Sequence, residues 1–173
     1  MANFVLNTND LSRLSSLNAG DTVTLSGVIY TLRDAGHKRL VESYRRGKPD
    51  FDISGKAIYY CGPTPTLENE IIGSCGPTTS ARMDDYAPFL IEKGLKIMIG
   101  KGKRSNAVLS AMKNFGAVYL VAVGGAGALY KSVVKANEPV IYDDLGCEAM
   151  RALTVENMVL LVGADSKGNT VLV

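Results

Sequence analysis

The second half of the chain alternates between short apolar runs and segments with helical spacing. Residues 95–100 (LKIMIG) and 117–125 (AVYLVAVGG) are apolar at almost every position, and each run ends in glycine. Residues 84–94 (DDYAPFLIEKG) and 105–116 (SNAVLSAMKNFG) have the spacing of helices. Continuously apolar strands are typical of a parallel sheet that helices cover on both faces. The alternation therefore predicts an α/β domain with a mixed, partly parallel sheet.

The first half has more strand character. Residues 21–33 (DTVTLSGVIYTLR) alternate and are rich in Val, Thr and Ile, which predicts a strand, and residues 34–47 predict a helix that ends at Gly47. Two further strands are predicted at 55–63 and 70–77, because each run ends in Gly-Pro.

The last part of the chain has strand character again. We predict a strand at 138–146, a helical turn at 147–153 (CEAMRAL) and a final strand segment with a hairpin turn at 165–169 (DSKGN). No linker separates two halves, so residues 1–173 are expected to form a single domain.

Composition excludes several classes of protein. Nineteen basic residues against 17 acidic ones give a formal charge of +2, too balanced to indicate nucleic acid or an anionic membrane as a partner. No apolar run reaches the roughly 20 residues of a membrane helix, and the first residues do not resemble a signal peptide. Cys61, Cys75 and Cys147 are an odd number without C-x-x-C spacing, which favours a reducing cytoplasmic location over a disulfide scaffold.

The stretch 75–86 (CGPTTSARMDDY) carries three adjacent hydroxyls, Thr78, Thr79 and Ser80, with Arg82 close behind. One hydroxyl could cap a helix, but three exceed what a cap requires. Exposed amides at such a turn attract anions, and arginine can hold a carboxylate by two parallel hydrogen bonds. The turn is therefore a candidate wall of an anion site.

Two other cations follow predicted strands. Arg33 precedes Asp34, which we expect to cap the next helix, and His37, the only histidine, could cap, pack or bind. Lys101 lies between two glycines in GKGKR, although Lys103 is an alternative. Neither this segment nor GGAGA (124–128) matches a phosphate-binding loop or a dinucleotide fingerprint.

If the strands that precede these segments are neighbours, Arg33, Arg82 and Lys101 converge with the hydroxyls. Three cations beside small hydroxyls would suit a small dianion such as a dicarboxylate. The opposing interpretation is that the same residues serve only as caps, turns and surface ion pairs.

In order along the chain, RDAGH, GPTTSARMD, GKG, GGAGAL and DDLGCEAMRALTVEN resemble the β subunit of class I, iron–sulfur-dependent fumarate hydratase. They equally resemble the C-terminal domain of the single-chain enzymes and the related L-tartrate dehydratase β subunit. The likeness covers about residues 15–173.

The resemblance implies a swivelling β/β/α domain that pairs with an α subunit, in a hetero-oligomer such as α2β2. The [4Fe-4S] cluster would be ligated by three cysteines of that α part, so that this chain ligates no metal. The resemblance further implies that Arg33 and Arg82 bind substrate carboxylates, Lys101 is a third cationic contact and Thr78 is the catalytic base. Thr79 is its neighbour in the site, and His37 and Asp34 are supporting residues.

The implied activity is the interconversion of fumarate and L-malate, with this chain inactive by itself. Two alternatives stay open: an L-tartrate dehydratase β subunit, and a non-catalytic anion-binding assembly domain.

Overall fold

The fold is built on one seven-stranded sheet, and the computed structural model describes residues 2–172 of the chain. The strands are β1 (Asn3–Asn7), β2 (Thr22–Thr31), β3 (Ala57–Tyr59), β4 (Ile97–Gly100), β5 (Val118–Val121), β6 (Val134–Ile141) and β7 (Met150–Ala164). The helices are α1 (Asp34–Arg45), α2 (Ala87–Glu92), α3 (Asn106–Phe115) and α4 (Gly127–Ser132). Short 3₁₀ turns span Leu14–Ser16, Ser80–Met83 and Asp143–Glu148.

The strand order is β1-β2-β3-β4-β5-β7-β6, with an additional pairing between β2 and β7. Strands β1 to β5 are parallel to their neighbours within this series, whereas β7 runs antiparallel to β2, β5 and β6. Because β7 pairs with both β5 and β2, the five strands β2, β3, β4, β5 and β7 form a closed ring of hydrogen-bonded neighbours. The predicted α/β class with a mixed, partly parallel sheet is confirmed.

The central strands are buried on both faces. In β3, Ala57 and Tyr59 contribute to one hydrophobic cluster and Ile58 to the other; in β4, Ile97 and Ile99 alternate with Met98 in the same way. The first cluster fills the inside of the ring, and the second also contains the apolar faces of α1, α2 and α3. Burial on both faces explains why these strands have no polar alternation in the sequence.

Two local predictions are wrong. Residues 70–77 form a loop rather than a strand, because β3 already has β2 and β4 as neighbours and offers no free edge. Residues 147–153 were expected to form a helical turn, but the 3₁₀ turn ends at Glu148 and β7 begins at Met150.

The remaining predicted elements lie close to their expected positions. The predicted helix at 34–47 is α1, and Gly47 follows it with a positive φ of 75°. The predicted strand at 138–146 begins earlier, at Val134, and ends at Ile141. The predicted hairpin turn at 165–169 is closed by Asp165, whose backbone N–H donates to the Asn169 carbonyl at 3.0 Å. Within residues 2–172, no helix has the length and apolar character to cross a membrane.

Candidate functional site

The candidate site lies at the edge of the sheet where four parallel strands end. Strands β2, β3, β4 and β5 are consecutive and parallel, so their carboxyl ends share one edge. Arg33 follows β2, the threonine-rich turn closes the loop after β3, and Lys101 follows β4 directly. In α/β folds with parallel strands, whether the sheet is open or closed, ligands commonly bind at the carboxyl ends of the strands.

The threonine-rich turn is joined to the Lys101 segment by backbone hydrogen bonds. The N–H of Lys101 donates to the Thr78 carbonyl at 3.3 Å, and the N–H of Ser80 donates to the Lys101 carbonyl at 2.9 Å. Thr79 and Lys101 thereby form an isolated parallel bridge. The N–H of Thr78 also donates to the Tyr60 carbonyl at 2.6 Å, which ties the turn to the end of β3. Thr78, Thr79 and Lys101 therefore lie on two adjoining extended segments.

The three hydroxyls of the turn have different surroundings. Ser80 is buried, Thr78 is half-buried and Thr79 is exposed. The Ser80 Oγ lies 2.9 Å from the hydroxyl of Tyr119, which itself donates to the Gly102 carbonyl at 2.9 Å. Thr79 precedes the 3₁₀ turn at Ser80–Met83, but its side chain does not cap that turn. Capping therefore does not account for this cluster of hydroxyls.

Gly100 allows the turn to approach β4 this closely. A Cβ atom at position 100 would lie only 2.1 Å from the Ser80 Oγ and 2.9 Å from the Tyr60 ring. Any larger residue would push the turn away from the strand. This is a stronger reason for the glycine than the freedom that it gives to Lys101.

The side chain of Lys101 runs towards the turn after β5. A Cβ built on Gly124 would lie 3.5 Å from the Cδ of Lys101 and 3.8 Å from the Nζ of Lys101. Lys101 is partly buried, whereas Lys103 is exposed. Of the two lysines, Lys101 is thus the one held between strand ends.

Arg33 and Arg82 meet at a single carboxylate. Arg82 binds Asp34 through a hydrogen bond from its Nε to the Oδ1 at 2.9 Å and an ion-pair contact between its Nη2 and the Oδ2, also at 2.9 Å. The Nε of Arg33 lies 3.9 Å from the same Oδ2. The structure therefore brings together the segments that the sequence separates by 48 residues.

The expectation that Asp34 caps helix α1 is wrong. Asp34 is the first helical residue, and the preceding residue, Arg33, makes no side-chain cap bond. In the first turn of the helix, the backbone N–H of Ala35 donates to the Glu148 Oε2 at 2.8 Å. Since the Asp34 carboxylate is engaged by Arg82, Glu148 takes the capping role from a distant segment.

Glu148 also contacts Arg33, with its Oε1 3.6 Å from the Arg33 Nη2. On the opposite side, Arg33 packs over Gly62, where an added Cβ would meet its Nη1 at 2.7 Å. The Arg33 side chain is only 21% exposed. Its guanidinium is consequently fixed in position by the loop after β3 and by the 3₁₀ turn at Asp143–Glu148.

His37 is fully buried beneath this edge. Its Nδ1 lies 2.8 Å from the Arg33 carbonyl, and its ring packs edge-on against Tyr60 with centroids 5.2 Å apart. Burial lowers the pKa of His37 to about 4, so that the imidazole is neutral at pH 7. The neutral ring donates from Nδ1 to the carbonyl and thereby holds the backbone of Arg33.

A second group of polar side chains underlies the site, and the sequence did not single it out. The Arg104 side chain is completely buried, with its Nε 2.8 Å from the Asp84 Oδ1. Its guanidinium lies 5.2 Å from the ring centre of Tyr60 and 5.0 Å from that of Tyr119. Nothing in the run GKGKR distinguishes a buried arginine from the lysines beside it, because the distinction depends on Asp84, 20 residues earlier.

The cysteines do not fit an iron–sulfur cluster. Cys61 and Cys75 are buried, whereas Cys147 is exposed. The Cys75 Sγ donates to the Gly73 carbonyl at 3.2 Å and is therefore a thiol, whereas cluster ligation requires thiolates. Across residues 2–172, no group of three or more His, Cys, Asp or Glu residues could hold a metal ion.

Comparison with known proteins identifies the family. The sequence profile described as "Fumarase C-terminus" matches residues 2–173. The chain belongs to this family. The resemblance detected in the motifs is thereby confirmed.

Among members of the fumarase C-terminus family, the chain is 37% identical over 163 residues to a protein named putative fumarate hydratase class I of Geobacillus stearothermophilus. The alignment covers 91% of this chain and 31% of that protein. It is 39% identical over 163 residues to the aerobic class I fumarate hydratase of Salmonella typhimurium, covering 92% of this chain and 28% of the enzyme. The chain thus spans about a third of the length of these relatives.

A third relative is closer in length. The chain is 38% identical over 165 residues to the putative L(+)-tartrate dehydratase subunit beta of Methanocaldococcus jannaschii. The match covers 91% of this chain and 85% of that subunit.

Proposed function

We propose that this chain is the β subunit of an iron–sulfur hydro-lyase that interconverts fumarate and L-malate. The chain supplies the cationic half of an active site that an α subunit completes. The observation that carries the proposal is the convergence of Arg33, Arg82, Lys101 and Thr78 at one edge of the sheet. The names of class I relatives give the reaction class for which this arrangement is suited.

The reaction requires stabilisation of a carboxylate. In the elimination direction a base removes a proton from the carbon next to one carboxylate, and the C–H electrons form the double bond as hydroxide leaves the neighbouring carbon. Negative charge develops on the adjacent carboxylate as the proton departs. Fixed cations aimed at that carboxylate lower the barrier, and this is the role proposed for Arg82, Arg33 and Lys101.

Thr78 is the proposed base. A threonine hydroxyl is a weak base near neutral pH, so this role requires a cationic environment or a relay. Arg33, Arg82 and Lys101 contribute three positive charges at this edge, and Asp34 and Glu148 contribute two negative charges. The excess of one positive charge suits an anionic substrate.

Asp34 occupies the position on Arg82 that a substrate carboxylate would take. The Arg82 side chain is 49% exposed and that of Asp34 is 31% exposed. An ion pair this exposed contributes little to stability, so a substrate can displace or share it. Asp34 is accordingly a supporting residue that keeps the fork of Arg82 oriented at the site.

The α subunit and the assembly belong to the same proposal. The partner would carry the [4Fe-4S] cluster, which supplies a Lewis acid for the substrate hydroxyl, in a cytoplasmic hetero-oligomer such as α2β2. Because half of the site lies on the other polypeptide, the chain alone is expected to be inactive.

Reconstitution with the α subunit tests the proposal. We expect Arg82→Gln to lower kcat/KM for fumarate hydration on the order of 10²-fold, because the two-point grip on a carboxylate is lost. Arg46→Gln, which removes an exposed arginine at the end of α1, is the matched control and should leave kcat/KM unchanged. Full activity of Arg82→Gln would instead support a non-catalytic assembly domain. Activity of the wild-type chain without partner or iron would contradict the subunit assignment.

L-tartrate dehydratase is the second candidate. The observation that favours it is the 38% identity over 165 residues to a protein named putative L(+)-tartrate dehydratase subunit beta. Comparing kcat/KM of the reconstituted complex for L-malate and L-tartrate decides between the two substrates.

A further inference from the structure

A second polar cavity lies beside the candidate site, beyond the 3₁₀ turn at Asp143–Glu148. Its volume is about 230 Å³. It opens between the loop after β3, that 3₁₀ turn and the strands β6 and β7. Its walls include Thr64, Thr66, Ile72, Asn137, Cys147 and Arg151.

Arg151 is the only charged residue among the described residues that line this cavity. Its Nε donates to the Asn137 Oδ1 at 2.5 Å, and the Asn137 Nδ2 donates to the Ile71 carbonyl at 3.0 Å. The backbone N–H of Arg151 donates to the Thr31 Oγ1 at 3.1 Å. These bonds fix the direction of the guanidinium while they use only its Nε.

The two terminal nitrogens of Arg151 stay available as donors. Among the residues that the structure describes, no carboxylate lies within the 4.0 Å of an ion pair with Arg151. A guanidinium whose Nε is already bound presents its remaining N–H groups as a fork that matches a carboxylate or a phosphate.

The other walls define the size and type of ligand. Thr64 and Thr66 lie on one side, where the Thr64 Oγ1 accepts the backbone N–H of Ser74 at 2.8 Å and keeps its O–H as a donor. The buried side chain of Ile72 forms an apolar surface. The volume of the cavity is about 230 Å³. This is smaller than a typical pocket for a drug-sized ligand, about 300 Å³ or more, and suits a molecule of few heavy atoms.

We infer that this cavity, the Arg151 pocket, is a binding site for a small oxyanion carrying a carboxylate or a phosphate group. The anion binds to the terminal nitrogens of Arg151 and to the hydroxyls of the loop after β3. Within residues 2–172, no acidic side chain lines the pocket to oppose it.

The Arg151 pocket is separate from the proposed substrate site. Gly62 packs closely against both sites. A Cβ added to it would lie 3.0 Å from the backbone carbonyl oxygen of Cys147 and 2.7 Å from the Arg33 Nη1. Glu148 turns away from the pocket, towards Arg33 and Ala35. The turn at 146–148 therefore forms a wall between the two sites.

Cys147 provides a direct readout of occupancy. It is exposed and lines the pocket, whereas Cys61 and Cys75 are fully buried. The rate at which iodoacetamide alkylates the folded 173-residue chain should thus report on Cys147. The titration uses inorganic phosphate in one arm and succinate in the other, with sodium chloride at matched ionic strength as the reference.

We expect at least one of the two anions to slow alkylation of the wild type at least fivefold, in a saturable way, and chloride to have no such effect. The anion whose protection of Cys147 saturates at the lower concentration shows whether the pocket prefers a phosphate or a carboxylate group. Arg151→Gln should abolish the protection, which is measured as a ratio within each variant because the substitution also changes the basal rate. Arg46→Gln should retain it.

Arg82→Gln distinguishes the pocket from the proposed active site. Protection that is retained in Arg82→Gln and lost in Arg151→Gln assigns the anion to the Arg151 pocket, whatever the outcome of the activity assays. Protection that is lost with Arg82→Gln and kept with Arg151→Gln would overturn the inference, as would the absence of saturable protection by both anions. Should Arg151→Gln unfold, Thr66→Tyr, which fills the pocket from an exposed loop, should remove anion protection instead.

Discussion

The buried ion pair between Asp84 and Arg104 gives a prediction whose size can be worked out from the structure. The Arg104 side chain is 0% exposed and that of Asp84 is 11% exposed. Asp84 also accepts the backbone N–H of Ser105 at 2.6 Å. Asp84→Asn keeps the shape of the side chain and one acceptor but removes the negative charge. Because an arginine stays protonated at any pH at which the protein is folded, Arg104 would then be an uncompensated buried cation.

Removing one partner of a buried pair costs roughly 3–5 kcal/mol. We expect the lower end, about 3 kcal/mol, because asparagine can retain the hydrogen bond to Ser105. The entropy of unfolding is about 2.1 cal/mol/K per residue, or about 0.36 kcal/mol/K for 173 residues. The expected drop in Tm is therefore about 8 °C.

Thermal unfolding at neutral pH, followed by circular dichroism, measures this drop. Asp144→Asn is the matched control, because Asp144 pairs with Arg39 at 2.7 Å while both side chains are well exposed. We expect Asp144→Asn to lower Tm by at most about a quarter of the drop expected for Asp84→Asn. Equal shifts for the two variants would refute the reasoning that burial makes the Asp84–Arg104 pair important.

Two further predictions concern Tyr119 and His37. Tyr119→Phe should lower the free energy of unfolding by about 1–2 kcal/mol in urea titrations, because the buried Ser80 hydroxyl loses its partner, and should lower kcat of the reconstituted complex. Tyr30→Phe, at a half-buried ring, should change neither quantity, and an equal loss in both variants would contradict the role given to the Tyr119 hydroxyl. The folded-state pKa of His37, about 4, lies below its ordinary value of 6.5, so the stability that this group contributes is present above pH 6.5 and is lost as the pH falls to about 4. The imidazole is surrounded by Tyr60 and Tyr86 and by the charges of Arg104 and Asp34. The loss of folding stability between pH 6.5 and pH 4 should amount to about 3 kcal/mol, and it should disappear in His37→Gln. An unchanged pH slope in that variant would show that another group is responsible.

The sequence predicted the parts of the fold that local pattern determines. The strands at 95–100 and 117–125 are identifiable because both of their faces are buried, which leaves a continuous apolar run. The strand predicted at 70–77 rested on its Gly-Pro ending, but the sheet has no free edge at β3 to receive it. Strand pairing is a property of the whole fold, so a short run could not reveal this.

The residues of the candidate site likewise fall into those that the sequence could predict and those that it could not. Arg33 and Lys101 were identifiable because each follows a strand, and parallel strands place such positions at one edge. Glu148 was missed as the acceptor at the start of α1, because it lies 113 residues from Ala35. A charge that acts through a distant partner leaves no local signal in the sequence.

The most direct test of the account is a crystal structure of the reconstituted complex with succinate, an unreactive dicarboxylate. We predict one carboxylate of succinate within hydrogen-bond distance, about 2.7–3.2 Å, of the Arg82 guanidinium, and Arg33 or Lys101 in contact with the same molecule. Succinate bound elsewhere, with these three cations directed to separate surfaces of the complex, would contradict the claim that they form one dicarboxylate site.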